Sequence, residues 1–335
     1  MKRLLIVILV AAAGWSAYWL IGANQLRAAY AGWFEARRAE GWAADYGTLE
    51  VNGFPNRFDT GFTDLALADP DTGLAWEAPF FQIMKLSYRP NHVIAAWPER
   101  QLVATPRRKY HLQSRDMRAS MIFEPETRLR VRRATLTAEA LETAPQDMDA
   151  PTRMEALTLA AERVPADDEA SYRLGLSADG LAPPLPWRRR IDPAGSLPER
   201  FDAFSADLTV TFDKPWDRSA VEDARPQPRR IKIALAEARW GRLELQAAGR
   251  LQVDAGGVPE GSVTVKARNW REILEMAESG GVLSEGMAET LRDGLGVVAQ
   301  LAGNPRTLDV PLTFAGGRVK LGPVPLGRAP RLRLR

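Results

Sequence analysis

The chain has 335 residues with 45 basic and 42 acidic side chains, a net charge of +3 and a pI near 9.2. Beyond residue 23 the balance is 43 basic to 42 acidic, so the high pI reflects arginine-rich near-neutrality and argues against nucleic acid as a partner. Cysteine is absent, which excludes disulfides and thiolate metal sites and leaves stability to a packed core.

Residues 4–23, LLIVILVAAAGWSAYWLIGA, follow Lys2 and Arg3 and carry no charge. At about 1.5 Å per residue a helix here reaches about 30 Å, the thickness of a bilayer's hydrocarbon core. This predicts a membrane anchor over residues 1–23. The alternative is a signal peptide with an A-x-A site at Ala11 and Ala13, which the continuation of the run disfavours. Trp15, Tyr18 and Trp19 gather at the far end, where such rings mark a membrane interface or pack on protein. Lys2 and Arg3 favour an inside N-terminus, so the expected location is the inner membrane, single-pass, with the bulk in the periplasm. Residues 24–47 are expected to form a helical stalk: Leu26, Ala29, Tyr30 and Trp33 fall on one face, and Gly41 is a stop.

From Thr48 the hydrophobic period becomes two, predicting a first β region over 48–180. Phe58, Thr60 and Phe62 alternate, then Leu65 and Leu67 on the opposite parity, which predicts a one-residue bulge near Thr63 and Asp64. Short strands separated by turns such as DPDTG (69–73) argue for antiparallel pairing. Residues 181–200, LAPPLPWRRRIDPAGSLPER, read as a proline-rich loop or a boundary between halves. A second β region over 201–335 opens with the clean alternation Phe204, Ala206, Leu208, Val210, Phe212. A helical hairpin is predicted at about 269–302, with Asn269 as cap and Glu272 at its third position. Ser284 begins its second helix, Met287, Leu291, Leu295 and Val298 form the inner face, and GNP (303–305) is the stop. The fold class is therefore mainly β (α+β): an anchor helix, curved antiparallel sheets arranged as a sandwich or open groove, and the late hairpin. Segments 132–141, 153–162 and 230–239 look alike, which shared strand chemistry explains without duplication.

No pattern of a catalytic or cofactor site emerges. His92 and His111 lack metal or triad spacing. GLGVVA (294–299) matches a dinucleotide loop in letters but follows a helical stretch instead of a strand. Asp147 with Asp149, Asp167 with Asp168 and Glu169, and Asp213 with Asp217 lack calcium-loop spacing and read as turn residues. The basic clusters 107–109, 188–190 and 229–232 read as solvated charge. The expectation is a non-enzyme with no catalytic residues, no cofactor and no metal.

Three segments are more distinctive: VNGFPNRFDT (51–60), APFFQIMKLSYRPNHVIAAWP (78–98) and PLTFAGGRVKLGPVPLG (311–327). With the anchor, they resemble a bacterial family termed domain of unknown function 2125 over nearly the whole chain. A weaker likeness, through the anchor, the many short strands and the closing hairpin, is to AsmA-like envelope proteins. The resemblance implies a membrane-anchored, outward-facing protein and supplies no catalytic residues. It marks Gly53, Phe54, Pro55, Arg57, Phe58, Pro90, Asn91 and Trp97 as motif positions, either corners or groove. The aromatic load of Phe54, Phe58, Phe62, Trp76, Phe80, Phe81, Tyr88 and Trp97 suits an apolar groove or a core. Expected partners are the membrane and a lipid or another envelope protein, with apolar-ligand binding first, a scaffold second, and an enzyme on glycan or lipid third.

Overall fold

The computed structural model describes residues 1–165, 170–222, 224–301, 306–322 and 324–334. Residues Lys2–Ala39 form one helix, α1, about 57 Å long at the standard helical rise. It ends where Gly41 takes φ 88°, a left-handed turn that suits glycine. The segment expected to be helical to residue 47 is therefore shorter, because Ala43–Asp45 extends to form strand β1.

The strands after it are β2 (Leu49–Asn52), β3 (Arg57–Asp69), β4 (Leu74–Leu86), β5 (Arg89–Ala96) and β6 (Arg100–Ala104). Next come β7 (Lys109–Gln113), β8 (Asp116–Phe123), β9 (Val131–Pro145), β10 (Thr152–Arg163) and β11 (Ser171–Asp179). A short helix α2 (Leu185–Ile191), β12 (Ala203–Phe212), a single turn α3 (Ser219–Glu222) and β13 (Pro228–Trp240) follow. β14 (Leu243–Val253), β15 (Pro259–Arg268), α4 (Trp270–Ser279) and α5 (Glu285–Leu301) precede the closing strands β16 (Thr307–Ala315), β17 (Arg318–Leu321) and β18 (Val324–Arg328).

Among the described residues the eighteen strands form one sheet, and every pairing is antiparallel. Of the two forms the sequence leaves open, this is one continuous sheet instead of a sandwich of two. The pairings run in chain order. β1 and β2 lie end to end along β3, β5 and β6 along β4, and β7 and β8 along β9. From β9 to β18 each strand pairs with the next. The proline-rich segment 181–200 contains α2, and the strands on either side of it, β11 and β12, pair with each other.

A crease crosses the first rows of the sheet. Asp64 of β3, at φ 47°, stands opposite Pro79 of β4, and the pairing steps over both. Pro79 has no N–H to give the ladder. The register is unchanged on either side, Phe62 facing Phe81 and Leu65 facing Ala78, so the expected one-residue slip is instead a joint distortion of two strands. It turns Leu65 to the same side as Phe62, and both are buried against α1. The row of β5 and β6 is broken at 97–99, that of β7 and β8 at 114–115, and β9 skips Ala140, at φ 48°.

Helices cover the two ends of the sheet. Trp19 and Ala23 of α1 pack on Val51 and Phe58, and Phe34 packs on Ala44, Phe62 and Leu65. At the far end Trp270 and Leu274 of α4 join Leu291, Leu295 and Ala299 of α5, over Leu308, Val310 and Val324. The hairpin is where its periodicity places it, and Asn269 stands at the N-cap position, but its side chain makes no capping bond. Its φ is 55° and its Nδ2 donates to the Arg242 carbonyl at 2.7 Å, while Glu272 pairs with the Arg242 guanidinium at 2.7 Å. The stop expected at 303–305 lies outside the described residues.

Leu291 is fully enclosed in this second core. Leu291→Ala should lower stability by about 2–5 kcal/mol, the usual cost of an unfilled leucine site. Urea unfolding of the detergent-solubilised chain, followed by circular dichroism, checks this value.

Candidate functional site

Alternation within each strand puts apolar side chains on one face of the sheet, and the register decides whether these faces join. They do. Ile83 of β4 faces Ala95, which faces Ala119, Leu136, Leu159 and Leu176 in successive rows. Ala206, Ala236, Ala247, Val265 and Val310 carry the line on to β16. At the spacing of about 4.8 Å between strands, the ten steps make an apolar path of about 50 Å.

The other face of the middle strands is charged. Arg133 pairs with Glu162 at 2.5 Å, Arg153 with Glu142 at 2.8 Å, and Arg173 with Asp207 at 2.6 Å, all across strands. The hydrogen bond from Arg173 holds the Asp207 carboxyl below its ordinary pKa. These exposed pairs are worth little as stability. Their role here is to mark which face is wet.

The apolar path ends under a helix at each side, with open strands between. Leu136, Leu174, Leu176, Leu208 and Ile233 are half-buried, and Leu159 is 38% exposed. Aromatic groups stand at both margins of this open stretch. Trp240 stacks between Trp187 and Phe201, at 6.0 and 4.6 Å, and Phe201 meets Phe204 edge-on. At the opposite end of β12, Trp216 lies edge-on to Phe212 at 5.6 Å, held there by a bond from its backbone N–H to the Tyr172 hydroxyl at 3.2 Å.

Where α1 crosses the path, a cleft of about 370 Å³ remains between helix and sheet. Leu26, Tyr30 and Trp33 of α1 form one wall, with Phe62, Trp76, Phe81 and Ile83 opposite. Trp76 spends its indole N–H on Gln101 Oε1 at 2.8 Å, which leaves an apolar lining. Burial raises the Tyr30 phenol above its ordinary value of 10.0. Larger depressions of about 690 and 490 Å³ elsewhere are lined by mixed polar groups such as Arg100, Gln101 and His111, or Thr209, Lys232 and Gln252.

The motif positions divide into two groups. Gly53, Phe54, Pro55, Arg57 and Phe58 come together under α1: Phe58 stacks on Trp19 at 5.7 Å, Phe54 meets it edge-on at 5.5 Å, and Gly53 adopts φ 98°. Phe58 is so close that a Cβ on Gly22 would lie 2.8 Å from its ring. Lys85 sits over the same ring at 5.7 Å, and burial lowers its pKa. Pro90 and Asn91 begin β5 instead, Asn91 Nδ2 donating to the Phe123 carbonyl at 3.1 Å, and Trp97 stands at the crease against Phe81 at 5.2 Å. Gly22 and Phe34 are contributors the sequence reading lacked. Phe34 lies one residue beyond the Leu26–Trp33 stripe, so widening that stripe would have found it.

His92 shares a 2.9 Å hydrogen bond with Ser120, and His111 lies on another strand, β7. GLGVVA lies inside α5. Asp213 accepts from the Gln227 N–H and Asp217 from Ser219, both as turn residues, and Asp147 pairs with Arg108 at 3.6 Å. The acidic run 167–169 lies outside the described residues. Arg188–Arg190 form the last turn of α2, and Arg229, Arg230 and Lys232 lie within β13. No group of three or more metal-binding side chains occurs among the described residues.

A family model described as an uncharacterized protein conserved in bacteria, DUF2125, matches residues 19–330. The chain belongs to this family. No curated protein and no solved structure matches it. In this DUF2125 member α1 is long and apolar enough to cross a membrane, and its first fifteen residues are all exposed, which fits a membrane-anchored protein.

The Tyr30 shift has a pH consequence with a definite sign. Between pH 10 and the raised native value, the unfolded chain loses a proton that the folded one keeps, so stability falls as pH rises through this window. Tyr30→Phe should flatten that alkaline loss, read as the change in urea midpoint between pH 9 and pH 11 in wild type and variant.

Proposed function

We propose that this protein is an envelope lipid-binding protein, anchored in the inner membrane with its sheet in the periplasm, that holds acyl chains along the apolar face without catalysing a reaction. The observation that carries this reading is the in-register apolar path from Ile83 to Val310, open through its middle while the opposite face is laced with ion pairs. A face of this extent left to water would cost about 25 cal/mol for each Å² of apolar surface, which an alkyl chain laid along it recovers. Lys2 and Arg3 before the anchor support the inside N-terminus. The cleft under α1 supports entry at the membrane end.

Recruitment of another protein by strand addition is the competing reading, and the margins of the sheet do not favour it. α1 packs on β1 and β2. β18, which pairs with β17 alone among the described residues, is five residues long and contains Pro325 and Arg328, features that blunt an edge.

The full-length chain in vesicles containing a phospholipid with a photoreactive acyl chain gives the test. Labelling should map to peptides with Leu136, Leu159 and Leu176, and Leu159→Glu with Leu176→Glu should reduce it several-fold. Thr158→Glu, one residue away on the wet face, should not. Labelling confined to residues 4–23 would remove the lipid-binding reading.

A further inference from the structure

The charge-free run needs its full length to cross a bilayer, yet the folded domain meets it halfway. From Leu4 to Gly14 the helix covers about 16 Å, roughly half of the hydrocarbon thickness of about 30 Å. At the next residue, Trp15 Nε1 donates to the Pro55 carbonyl at 2.9 Å. Tyr18 Oη then donates to the Ser87 carbonyl at 2.9 Å, and Trp19 Nε1 to the Arg57 carbonyl at 2.7 Å. The helix cannot both span the membrane and keep these bonds while the β2–β3 and β4–β5 turns stay in water.

We propose that these two turns, 53–56 and 87–88, are seated in the lipid leaflet on the domain's side. Their exposed groups have the right character. Phe54 is 55% exposed and Tyr88 59%, and Leu20 and Ile21 of α1 are exposed as well. Four of the turns' six carbonyls, those of Gly53, Pro55, Asn56 and Ser87, are satisfied within the protein. An ordinary exposed turn leaves its carbonyls to solvent, whereas in lipid each must find a partner in the protein. Here the carbonyls of Pro55, Arg57 and Ser87 accept from the three rings of α1. That of Asn56 accepts from the backbone N–H and hydroxyl of Ser87, at 2.9 and 3.0 Å, and that of Gly53 from the Arg57 N–H at 2.8 Å. Arg57, paired with Asp59 at 2.6 Å, and the exposed Arg89 are long enough to bring their charges up to the phosphates. The seating rests on α1 spanning the membrane and not on the lipid-binding reading. If both hold, the apolar path begins at the membrane surface, because Ile83 lines the cleft beside Leu26, about 33 Å along α1 from Leu4.

The absence of native cysteine makes the test direct. Single substitutions Phe54→Cys, Tyr88→Cys, Ile8→Cys and Leu74→Cys each take one nitroxide label in the full-length chain, reconstituted in phosphatidylethanolamine and phosphatidylglycerol vesicles. Leu74, 45% exposed at the other end of β4, reports water, and Ile8 reports lipid. Labels at 54 and 88 should collide with oxygen in preference to a polar nickel complex, as at Ile8, with nickel accessibility several-fold below that at Leu74. Tyr88 makes no ring contact with α1, so its label does not depend on the Phe54–Trp19 contact. Labels at 54 and 88 that behave like Leu74 overturn the proposal, as does an Ile8 label that reads as water. Photolabelling of Leu136, Leu159 and Leu176 is scored separately, so failure of seating and failure of lipid binding are distinguishable.

Discussion

An antiparallel sheet that adds each strand beside the one before it acquires an apolar face as wide as the sheet itself. Water must be kept from that face or tolerated on it. Among the described residues the helices that pack on the face of the sheet through its cores lie at the two ends, α1 over the first strands and α4 with α5 over the last. Everything distinctive about the candidate site follows from that shortage of cover: the half-exposed leucines of β9 to β12, the aromatic groups at their margins, and the cleft where α1 lifts from Phe62 and Phe81.

Much of this was legible in the residues. Alternation such as Phe204 to Phe212 requires no tertiary knowledge, because a half-buried strand shows its two faces in its own letters, and the helical period of Leu291, Leu295 and Val298 is equally local. What could not be read is how the strands line up. Leu136, Leu159 and Leu176 are unremarkable singly and become a path only through register, which depends on where each turn closes. The parity change at Asp64 was visible as a pattern, but its cause, the proline opposite on β4, belongs to a pairing partner fifteen residues away. Asn269 takes the N-cap position without a side-chain capping bond for a related reason: its amide found the Arg242 carbonyl, a partner supplied by the neighbouring hairpin.

The motif GFPNRF illustrates how one short segment serves two ends. Glycine permits the left-handed turn at residue 53, Phe58 fills the space that Gly22 leaves open, and the Pro55 and Arg57 carbonyls between them receive hydrogen bonds from the Trp15 and Trp19 rings of α1. An aromatic ring with one N–H or O–H is suited to this, since it buries a large apolar area and still satisfies a polar atom. The apolar helix α1 and the sheet are thereby one packed unit, and the sheet has a fixed orientation to the helix instead of hanging from a tether.

The order of pairing has an evolutionary corollary. Among the described residues each strand from β10 to β15 pairs only with the strands before and after it, so a hairpin gained there can leave the packing at both ends intact provided that the connections reaching across the sheet, Arg190 to Ser279 and Trp216 to Val131, are kept. Each added pair of strands would lengthen the path by about 10 Å. Reach is then a property that can be selected independently of anchoring and of the helical cap, much as the length of a solenoid is set by its number of repeats.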